Sequence, residues 1–405
     1  MNILLVNWQD RENPHAGGAE IHLFEIFRRL AARGHRIRLV ASGWRGCSPH
    51  AMLDGIEIER TGDRNSFALQ GRGAVRRALR AEQPEVVIED INKVPLFLAG
   101  LTDLPLGVII PHLFGATVFQ EAAWPMAALV WLLERPIPAA YRRAGFHAIS
   151  DSTRDDLVVR GVPRDQITVI RPGIDSNAFR PDASVPRATP PSFLYVGRLR
   201  RYKGVDIAIR ALAVAREQRP EIELDIAGSG PDRPRLEHLA DQLGVRGAIR
   251  FRGFVSEAEK LHLLRSTWAN VFPSPKEGWG ITNIEAAASG TASLASDSPG
   301  LRDSVRHGET GFLVPHGDVN AMAARMVELA GDQALVNRLG VEARRFAESL
   351  SWDAAADQTE RWIEGLLGSH LGQWAENRRN AVEPFETEQT DRRKPLASDS
   401  SLEVL

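Results

Sequence analysis

The stretch KEGWGITNIEAAASGT, residues 276–291, carries two glutamates, Glu277 and Glu285, with seven residues and two glycines between them. On one continuous helix, eight steps of 100° would leave them about 80° apart and about 12 Å apart along the axis. The two glycines between them disfavour helix before Ile281, so a loop is predicted to turn into a helix at that residue. The carboxylates would then be too far apart to share a proton. They would suit one extended ligand held at two points.

The composition is that of an ordinary globular chain that is long enough for two domains. Of 405 residues, 43% are apolar and 25% are charged, and the net charge of −2 gives no case for a nucleic-acid partner. A single cysteine, Cys47, rules out an intrachain disulfide and a multi-cysteine metal site, and fits a reducing compartment. The start MNILLVNWQD has the pattern of a first strand rather than a signal peptide. A cytoplasmic protein is predicted, with attachment to the inner face of the membrane left open.

Two series of short aliphatic runs alternate with helical stretches, which is typical of parallel α/β sheets. Twelve strands are predicted, at 2–7, 36–41, 85–90, 106–110, 146–149, 167–170, 193–197, 222–227, 249–253, 270–272, 292–295 and 312–314. The predicted units are an N-terminal domain (1–180), a proline-rich linker (181–191), a C-terminal domain (192–350), a final helix packing back toward the first domain (351–368) and a disordered polar tail (369–405). The fold class is therefore α/β, with two doubly wound, Rossmann-like domains and a central cleft at the carboxyl ends of their strands.

Two turns that follow predicted strands carry groups suited to a diphosphate. Gly17 and Gly18 precede a helix, so backbone amides can approach an anion where the helix dipole is positive. The pattern is not G-x-G-x-x-G, and a simple tight turn is the alternative. Arg198 and Lys203 follow the strand at 193–197, and an arginine fork beside a lysine suits a diphosphate. Solvated surface side chains are the alternative for this pair.

The remaining candidates also have structural alternatives. Glu285 could complete a capping box with Thr282, and Glu277 could be a solvated loop residue. His112 follows a strand and faces the presumed cleft, although a lone histidine is more often structural. The chain has no H-E-x-x-H motif, no P-loop and no convincing D-x-D pair, so no metal ion is predicted to be required.

Together these segments resemble the retaining glycosyltransferases of family four, which have the two-domain GT-B fold, over about residues 2–367. Residues 276–314 carry the family's two glutamates with seven residues between them. GRLRRYKG (197–204) and AGGAEIH (16–22) match two further family segments in the expected order. One motif could arise by chance, whereas three at these spacings indicate membership. A departure is the Ala292-Ser293 pair where the family usually shows Pro-Val, which should alter packing more than chemistry.

The resemblance implies a UDP- or GDP-linked sugar as donor, retention at the anomeric carbon, and no required cofactor or metal. Arg198 and Lys203 would neutralise the diphosphate and the charge that grows on it as the leaving group departs. Gly17 and Gly18 would let the first helix approach the phosphates. Same-face attack, with the departing phosphate helping to deprotonate the acceptor, is adopted as the hypothesis for the mechanism.

The resemblance also implies roles for the residues that would bind the rest of the donor. Glu285 would accept hydrogen bonds from the ribose hydroxyls, and Glu277 would contact hydroxyls of the donor sugar. His112 would lie near the transferred sugar. Backbone amides would assist Glu277, and they belong to Gly280, Ile281 and Thr282.

The acceptor is expected in the N-terminal domain and would be a lipid-linked or small glycan, as in glycolipid, cell-surface polysaccharide or glycoconjugate synthesis. One predicted helix carries four basic residues, which are Arg72, Arg76, Arg77 and Arg80. The apolar run at 122–133, interrupted by Pro125, is too short to span a bilayer. Together they could meet an anionic membrane. The alternative is a solvated helix face and a buried core helix.

Two other function classes remain open from the sequence. A nucleotide-sugar epimerase with the same fold would consume donor without an acceptor. A non-catalytic sugar-binding protein would not need the intact set of charged residues, which are Arg198, Lys203, Glu277 and Glu285. Turnover with sugar transfer separates the three classes.

Overall fold

The computed structural model describes residues 1–120 and 123–382, without the side chains of residues 120 and 371–382. Its first sheet has eight strands: β1 (Asn2–Val6), β2 (Arg36–Ser42), β3 (His50–Leu53), β4 (Ile56–Thr61), β5 (Val86–Asp90), β6 (Leu106–Ile110), β7 (Gly145–Ala148) and β8 (Ile167–Val169). Their order is β3-β4-β2-β1-β5-β6-β7-β8, and only β3 runs antiparallel to its neighbour.

The second sheet has six strands, all parallel. They are β9 (Ser192–Val196), β10 (Glu223–Ala227), β11 (Ile249–Gly253), β12 (Ala269–Phe272), β13 (Ser293–Asp297) and β14 (Gly311–Pro315). Their order is β11-β10-β9-β12-β13-β14. The first strand of this sheet, β9, is therefore central, and the later strands lie on either side of it. In such sheets the strand order reverses beside the first strand, and the carboxyl ends there form a crevice for ligands.

The helices cover both faces of the sheets. They are α1 (Gly18–Ala32), α2 (Phe67–Glu82), α3 (Trp124–Glu134), α4 (Ile137–Ala140), α5 (Asp151–Val159), α6 (Val205–Gln218), α7 (Arg233–Gln242), α8 (Glu257–Ser266), α9 (Ile281–Ala288), α10 (Leu301–Ser304), α11 (Val319–Gly331), α12 (Gln333–Glu348) and α13 (Trp352–Val382). Alternate residues of β1 show the two layers, because Ile3 and Leu5 pack in the core under α1, whereas Leu4 and Val6 pack in the core under α2.

The predicted fold class is confirmed, and all twelve predicted strands are present with ends within two residues of their predicted positions. The prediction was incomplete in the first sheet, where it missed the hairpin of β3 and β4. This hairpin turns at Asp54 and Gly55, which have φ of 49° and 82°. Asp-Gly is a strong signal for a two-residue hairpin turn, and the IEIERT sequence that follows alternates apolar and polar residues. The hairpin of β3 and β4 was therefore predictable from the sequence.

The end of the chain returns to the N-terminal domain. At the crossing between domains, the Ile174 amide donates to the Leu350 carbonyl at 3.1 Å. The last helix then packs on α1, where Arg33 pairs with Asp357 at 2.5 Å and with Glu360 at 2.6 Å. It continues to Val382, so a helix occupies 369–382, where the sequence predicts no regular structure. The rest of the predicted tail, 383–405, lies outside the described residues.

The apolar run at 122–133 does not form the buried core helix that was the alternative interpretation. Ala122 lies outside the described residues, and the remainder forms most of α3, whose large apolar side chains face solvent. The exposed fractions are 74% for Trp124, 56% for Met126, 49% for Leu129 and 56% for Leu132. Within the described residues, none of the helices combines the length and the hydropathy needed to cross a bilayer.

Candidate functional site

The N-terminus of α1 faces the N-terminus of α9 across the cleft between the domains. A Cβ atom added to Gly18 would lie 2.8 Å from Cδ1 of Ile281, and one added to Gly17 would lie 3.5 Å from Nη2 of Arg198. The two predicted glycines therefore allow α1 to come close to the C-terminal domain. Two helix N-termini and one guanidinium meet here, which makes this part of the cleft favourable for an anion.

A buried glutamate that the sequence analysis missed fixes the first of these helix ends. The Gly17 amide donates to Oε2 of Glu20 at 2.6 Å, and the Asn92 side-chain amide donates to Oε1 of the same carboxylate at 2.8 Å. Glu20 lies at the third position of the helix, as in a capping box. The GGAE sequence contains the capping-box signal. The contact with Asn92 could not be predicted from the sequence, because it joins residues 72 positions apart.

The predicted basic pair lies at the carboxyl end of β9. Arg198 is exposed and forms no ion pair within the described part of the chain, whereas Lys203 is mostly buried. The Tyr195 hydroxyl donates to the Arg198 carbonyl at 3.1 Å. Burial raises the pKa of Tyr195 well above its usual range, the field of Glu277 adds to this, and Arg198 opposes it. Arg198 and Glu277 therefore both lie near the Tyr195 hydroxyl, at the carboxyl end of β9.

The two glutamates of the opening motif are held apart, each by its own lysine. Oε1 of Glu277 lies 2.5 Å from Nζ of Lys203, and Oε1 of Glu285 lies 3.0 Å from Nζ of Lys260. Burial raises the pKa of Glu285, and the nearby Lys260 opposes that shift. A loop carries the first glutamate and a helix carries the second, as predicted. The lysine on α8 was missed, because nothing local in the sequence links it to a residue 25 positions away.

The helix α9 begins at Ile281, as the glycines predicted. Its N-cap is Gly280, and Thr282 lies half-buried in its first turn. The capping-box alternative for Glu285 is wrong, because no side chain caps this helix and the carboxylate turns to α8 instead. The Asn283 amide donates to the Gly280 carbonyl at 2.9 Å, so the amides before it in the first turn are the ones available to a ligand.

His112 lies on the opposite wall of the cleft, directly after β6. Its neighbour Pro111 approaches the glutamate loop so closely that a Cβ atom on Gly278 would lie 2.6 Å from the Pro111 carbonyl oxygen. Removal from water lowers the pKa of His112 to about 4, although Glu277 opposes the shift. The imidazole is therefore neutral at pH 7. A further link between the domains joins Lys276 to Asp156 at 3.2 Å.

The structure thus brings Gly17, Gly18, His112, Arg198, Lys203, Glu277 and Ile281 to one part of the cleft, with Glu285 further along α9. Within the described residues, no group of three or more histidines, cysteines, aspartates and glutamates is arranged to hold a metal ion.

Sequence comparisons place this arrangement among sugar-transferring enzymes. The model of glycosyl transferases group 1 matches residues 178–346, and that of glycosyltransferase family 4 matches residues 16–178. A glycogen synthase of Mycobacterium tuberculosis is 29% identical over 392 residues, covering 89% of this chain and 93% of the relative. A D-inositol 3-phosphate glycosyltransferase of Streptomyces avermitilis is 34% identical over 231 residues. That alignment covers 51% of this chain and 48% of the relative, so the chain spans about half the length of this relative.

Solved structures agree with the fold. Sucrose-phosphate synthase from Thermosynechococcus elongatus superposes with a TM-score of 0.78 at 22% identity, over 91% of this chain and 99% of that one. HepE from Anabaena, solved with UDP and glucose, superposes with a TM-score of 0.73 at 17% identity, over 90% and 100% of the two chains. These likenesses confirm the GT-B fold. With both family models matching in order over residues 16–346, the chain belongs to the glycosyltransferases of the family-four, group 1 type.

Proposed function

We propose that this glycosyltransferase takes its sugar from a nucleoside-diphosphate donor and moves it to a hydroxyl with retention of configuration, without a required metal ion or other cofactor. The observation that carries the proposal is the approach of Arg198 in one domain to Gly17 at the N-terminus of α1 in the other. Lys203 adds a second cation on the same wall. The solved complexes of HepE with UDP and with UDP-glucose support a nucleotide donor.

In this proposal the two glutamates bind opposite ends of the donor. Glu285 on α9 binds the ribose hydroxyls, and Glu277 binds hydroxyls of the sugar. The free backbone amides at the start of α9 assist Glu277. The diphosphate of a donor bound in this way lies between the two glutamates. Arg198 and Lys203 supply positive charge there.

The chemistry proposed is substitution on one face of the sugar. The bond between the anomeric carbon and the diphosphate oxygen breaks as a bond to the acceptor oxygen forms on the same face. The acceptor proton passes to the departing phosphate oxygen, so no protein base is needed. Arg198 and Lys203 stabilise the charge that grows on the leaving diphosphate. The neutral His112 can hydrogen-bond the sugar without adding a charge.

The first test is a calorimetric titration of the chain with UDP, GDP, ADP and dTDP, with a chelator present. One of these nucleotides is expected to bind at micromolar Kd. Arg198→Ala and Lys203→Ala should each weaken that binding at least about tenfold, because each removes a charge-assisted contact of about 1.5–3 kcal/mol. Absence of binding by the folded chain would contradict the donor site.

Turnover of the matching nucleotide sugars then separates the rival classes. Transfer to an added hydroxyl acceptor, with the configuration retained in the product, supports the proposal. Conversion of the donor without an acceptor would identify an epimerase, and nucleotide binding without turnover would indicate a sugar-binding protein. A glycosylated Glu277 peptide trapped by mass spectrometry would replace same-face attack with a covalent route.

We also propose that the N-terminal domain rests on an anionic membrane and takes a lipid-linked glycan as acceptor. The support is the exposed apolar surface of α3 together with uncompensated basic residues. Arg76 and Arg80 on α2 are exposed and form no ion pair in the described part of the chain, and Arg135 stacks 3.8 Å over the Trp131 ring. Two of the predicted basic residues are already engaged, because Arg72 donates to the Phe97 carbonyl at 3.1 Å and Arg77 pairs with Glu59 at 3.1 Å.

Co-sedimentation with vesicles tests this contact. Binding is expected to phosphatidylglycerol vesicles and not to phosphatidylcholine vesicles, because basic residues near an anionic surface contribute about 1 kcal/mol each. Changing Arg72, Arg76, Arg77 and Arg80 to serine should reduce binding at least about tenfold. Exposed arginines of the other domain, such as Arg302, provide the control. Unchanged binding by the quadruple variant would remove the hypothesis.

A further inference from the structure

A loop at the carboxyl end of β5 carries polar groups that have no partner within the described residues and no role in donor binding. Both carboxylate oxygens of Asp90, the side-chain oxygen of Asn92 and the ammonium of Lys93 are shielded from water without a hydrogen-bond partner. Asp90 is 2% exposed and Asn92 is 8% exposed. Buried polar groups are nearly always hydrogen-bonded, and an unpaired buried ammonium is costly. Three such groups within four residues indicate a ligand site.

Contacts to α1 and β1 hold this loop beside the donor site. Asn92 donates its amide to Glu20, the carboxylate that also caps α1 at Gly17. Nε1 of Trp8 donates to the Val94 carbonyl at 2.8 Å, and the Lys93 ammonium lies 5.6 Å from the centre of the Trp8 ring. The loop is therefore fixed at both ends, and its free groups lie next to the helix end that meets Arg198.

The charges around Lys93 leave a positive excess. Burial lowers the pKa of Lys93 to about 8, which leaves it mostly protonated at pH 7; Glu20 opposes the shift, while Arg64 and Arg198 add to it. Glu20 is already committed to its two hydrogen bonds. Neither arginine forms an ion pair among the residues whose side chains the structure describes, 1–119 and 123–370. Lys93 thus brings a positive charge from the N-terminal domain, in addition to the pair assigned to the diphosphate, and the field of Arg64 adds to it.

We propose that Asp90, Asn92 and Lys93 form the acceptor subsite, in which the Lys93 ammonium binds an oxyanion of the acceptor and the two side-chain oxygens hydrogen-bond its hydroxyls. The acceptor is then a polyhydroxylated molecule with a phosphate ester or a carboxylate near the hydroxyl that is glycosylated. Asp90 can stand near that anion because burial, with Glu20 and Glu89 nearby, raises its pKa well above the usual range and so disfavours its charged form. This inference rests on the proposed sugar transfer.

The test uses the full chain with the nucleoside diphosphate that it binds present at saturation, so that the anion probe cannot occupy the diphosphate site. Glucose 6-phosphate, glucuronate and glucose are titrated separately by calorimetry. We expect glucose 6-phosphate or glucuronate to bind, and glucose to bind at least about tenfold more weakly because it lacks the charge-assisted contact. Binding of glucose 6-phosphate would indicate that the acceptor carries a phosphate ester, and binding of glucuronate would indicate a carboxylate. Lys93→Met should weaken anion binding at least about tenfold, because it removes a charge-assisted contact, whereas Lys93→Arg should largely retain it.

Arg45→Ser is the control for removal of a positive charge, because Arg45 is an exposed loop arginine of the N-terminal domain outside the subsite. Nucleoside diphosphate affinity within twofold of the parent chain shows that each variant is folded. Anion binding that survives Lys93→Met, or nucleotide binding that Lys93→Met weakens as much as Arg198→Ala does, would overturn the proposal. If no nucleotide binds but the anion binds through Lys93, the subsite stands and the donor proposal fails.

Discussion

Glu277→Gln is expected to lower the rate of sugar transfer at least about 100-fold while nucleoside diphosphate binding stays unchanged or becomes tighter. The carboxylate lies 2.5 Å from the Lys203 ammonium, and both side chains are mostly buried. Glutamine keeps the shape but removes the charge, so Lys203 is released toward the diphosphate. The donor sugar meanwhile loses its carboxylate partner. Calorimetry with the nucleotide and initial rates with the nucleotide sugar measure the two effects separately.

Two variants make the comparison decisive. Lys203→Met should weaken nucleotide binding and transfer together, because it removes charge from the diphosphate itself. Glu285→Gln changes the other glutamate–lysine pair, whose partner is Lys260, and should weaken nucleotide binding through the ribose. If Glu277→Gln lost nucleotide affinity as strongly as Glu285→Gln, the assignment of the two glutamates to opposite ends of the donor would be contradicted. Thermal unfolding checks that the lysine left unpaired has not destabilised the domain.

The fold was predictable because its signals are local. Each parallel strand is a short aliphatic run, and a buried strand of this kind shows in the sequence without any knowledge of its neighbours. The hairpin of β3 and β4 was predictable too, from Asp54-Gly55 and the alternation after it. The order of the strands in each sheet was not, because strand pairing joins distant segments, such as β1 with β5 across about eighty residues.

The site was predictable only in part, for the same reason. Gly18, Arg198 and Lys203 lie in segments that lead from a strand into the next helix, so the general geometry of doubly wound sheets places them at the cleft. Lys260 has no such marker. Lys93 lies three residues after β5, but it is set apart from other loop residues only by its tertiary surroundings. Lys260 is recognised by the carboxylate it pairs with. Lys93 is recognised because its ammonium has no hydrogen-bond partner within the described residues.

Gly278 lies where the two domains approach each other closely around the glutamate loop, and we expect sugar transfer to depend on this approach. It follows Glu277 in the loop that meets the His112 wall, and a methyl group there would lie 2.6 Å from the Pro111 carbonyl oxygen and 3.0 Å from Cδ1 of Ile149. Both contacts belong to the other domain. Glu277 and His112 can therefore lie this close together across the cleft only if residue 278 carries no side chain.

Gly278→Ala is therefore expected to lower the transfer rate about 100-fold, because a misplacement of about 1 Å between reacting groups can have an effect of that size. Its melting temperature should change little, since the methyl group clashes between domains and a slightly open cleft relieves the clash. Nucleotide affinity should also persist, because Lys203 and Glu285 belong to the same domain as the loop. Gly247→Ala is the matched control, as a methyl group there would meet no atom within 4 Å. Rates that agree between the two variants would show that the domains need not approach as closely as they do here.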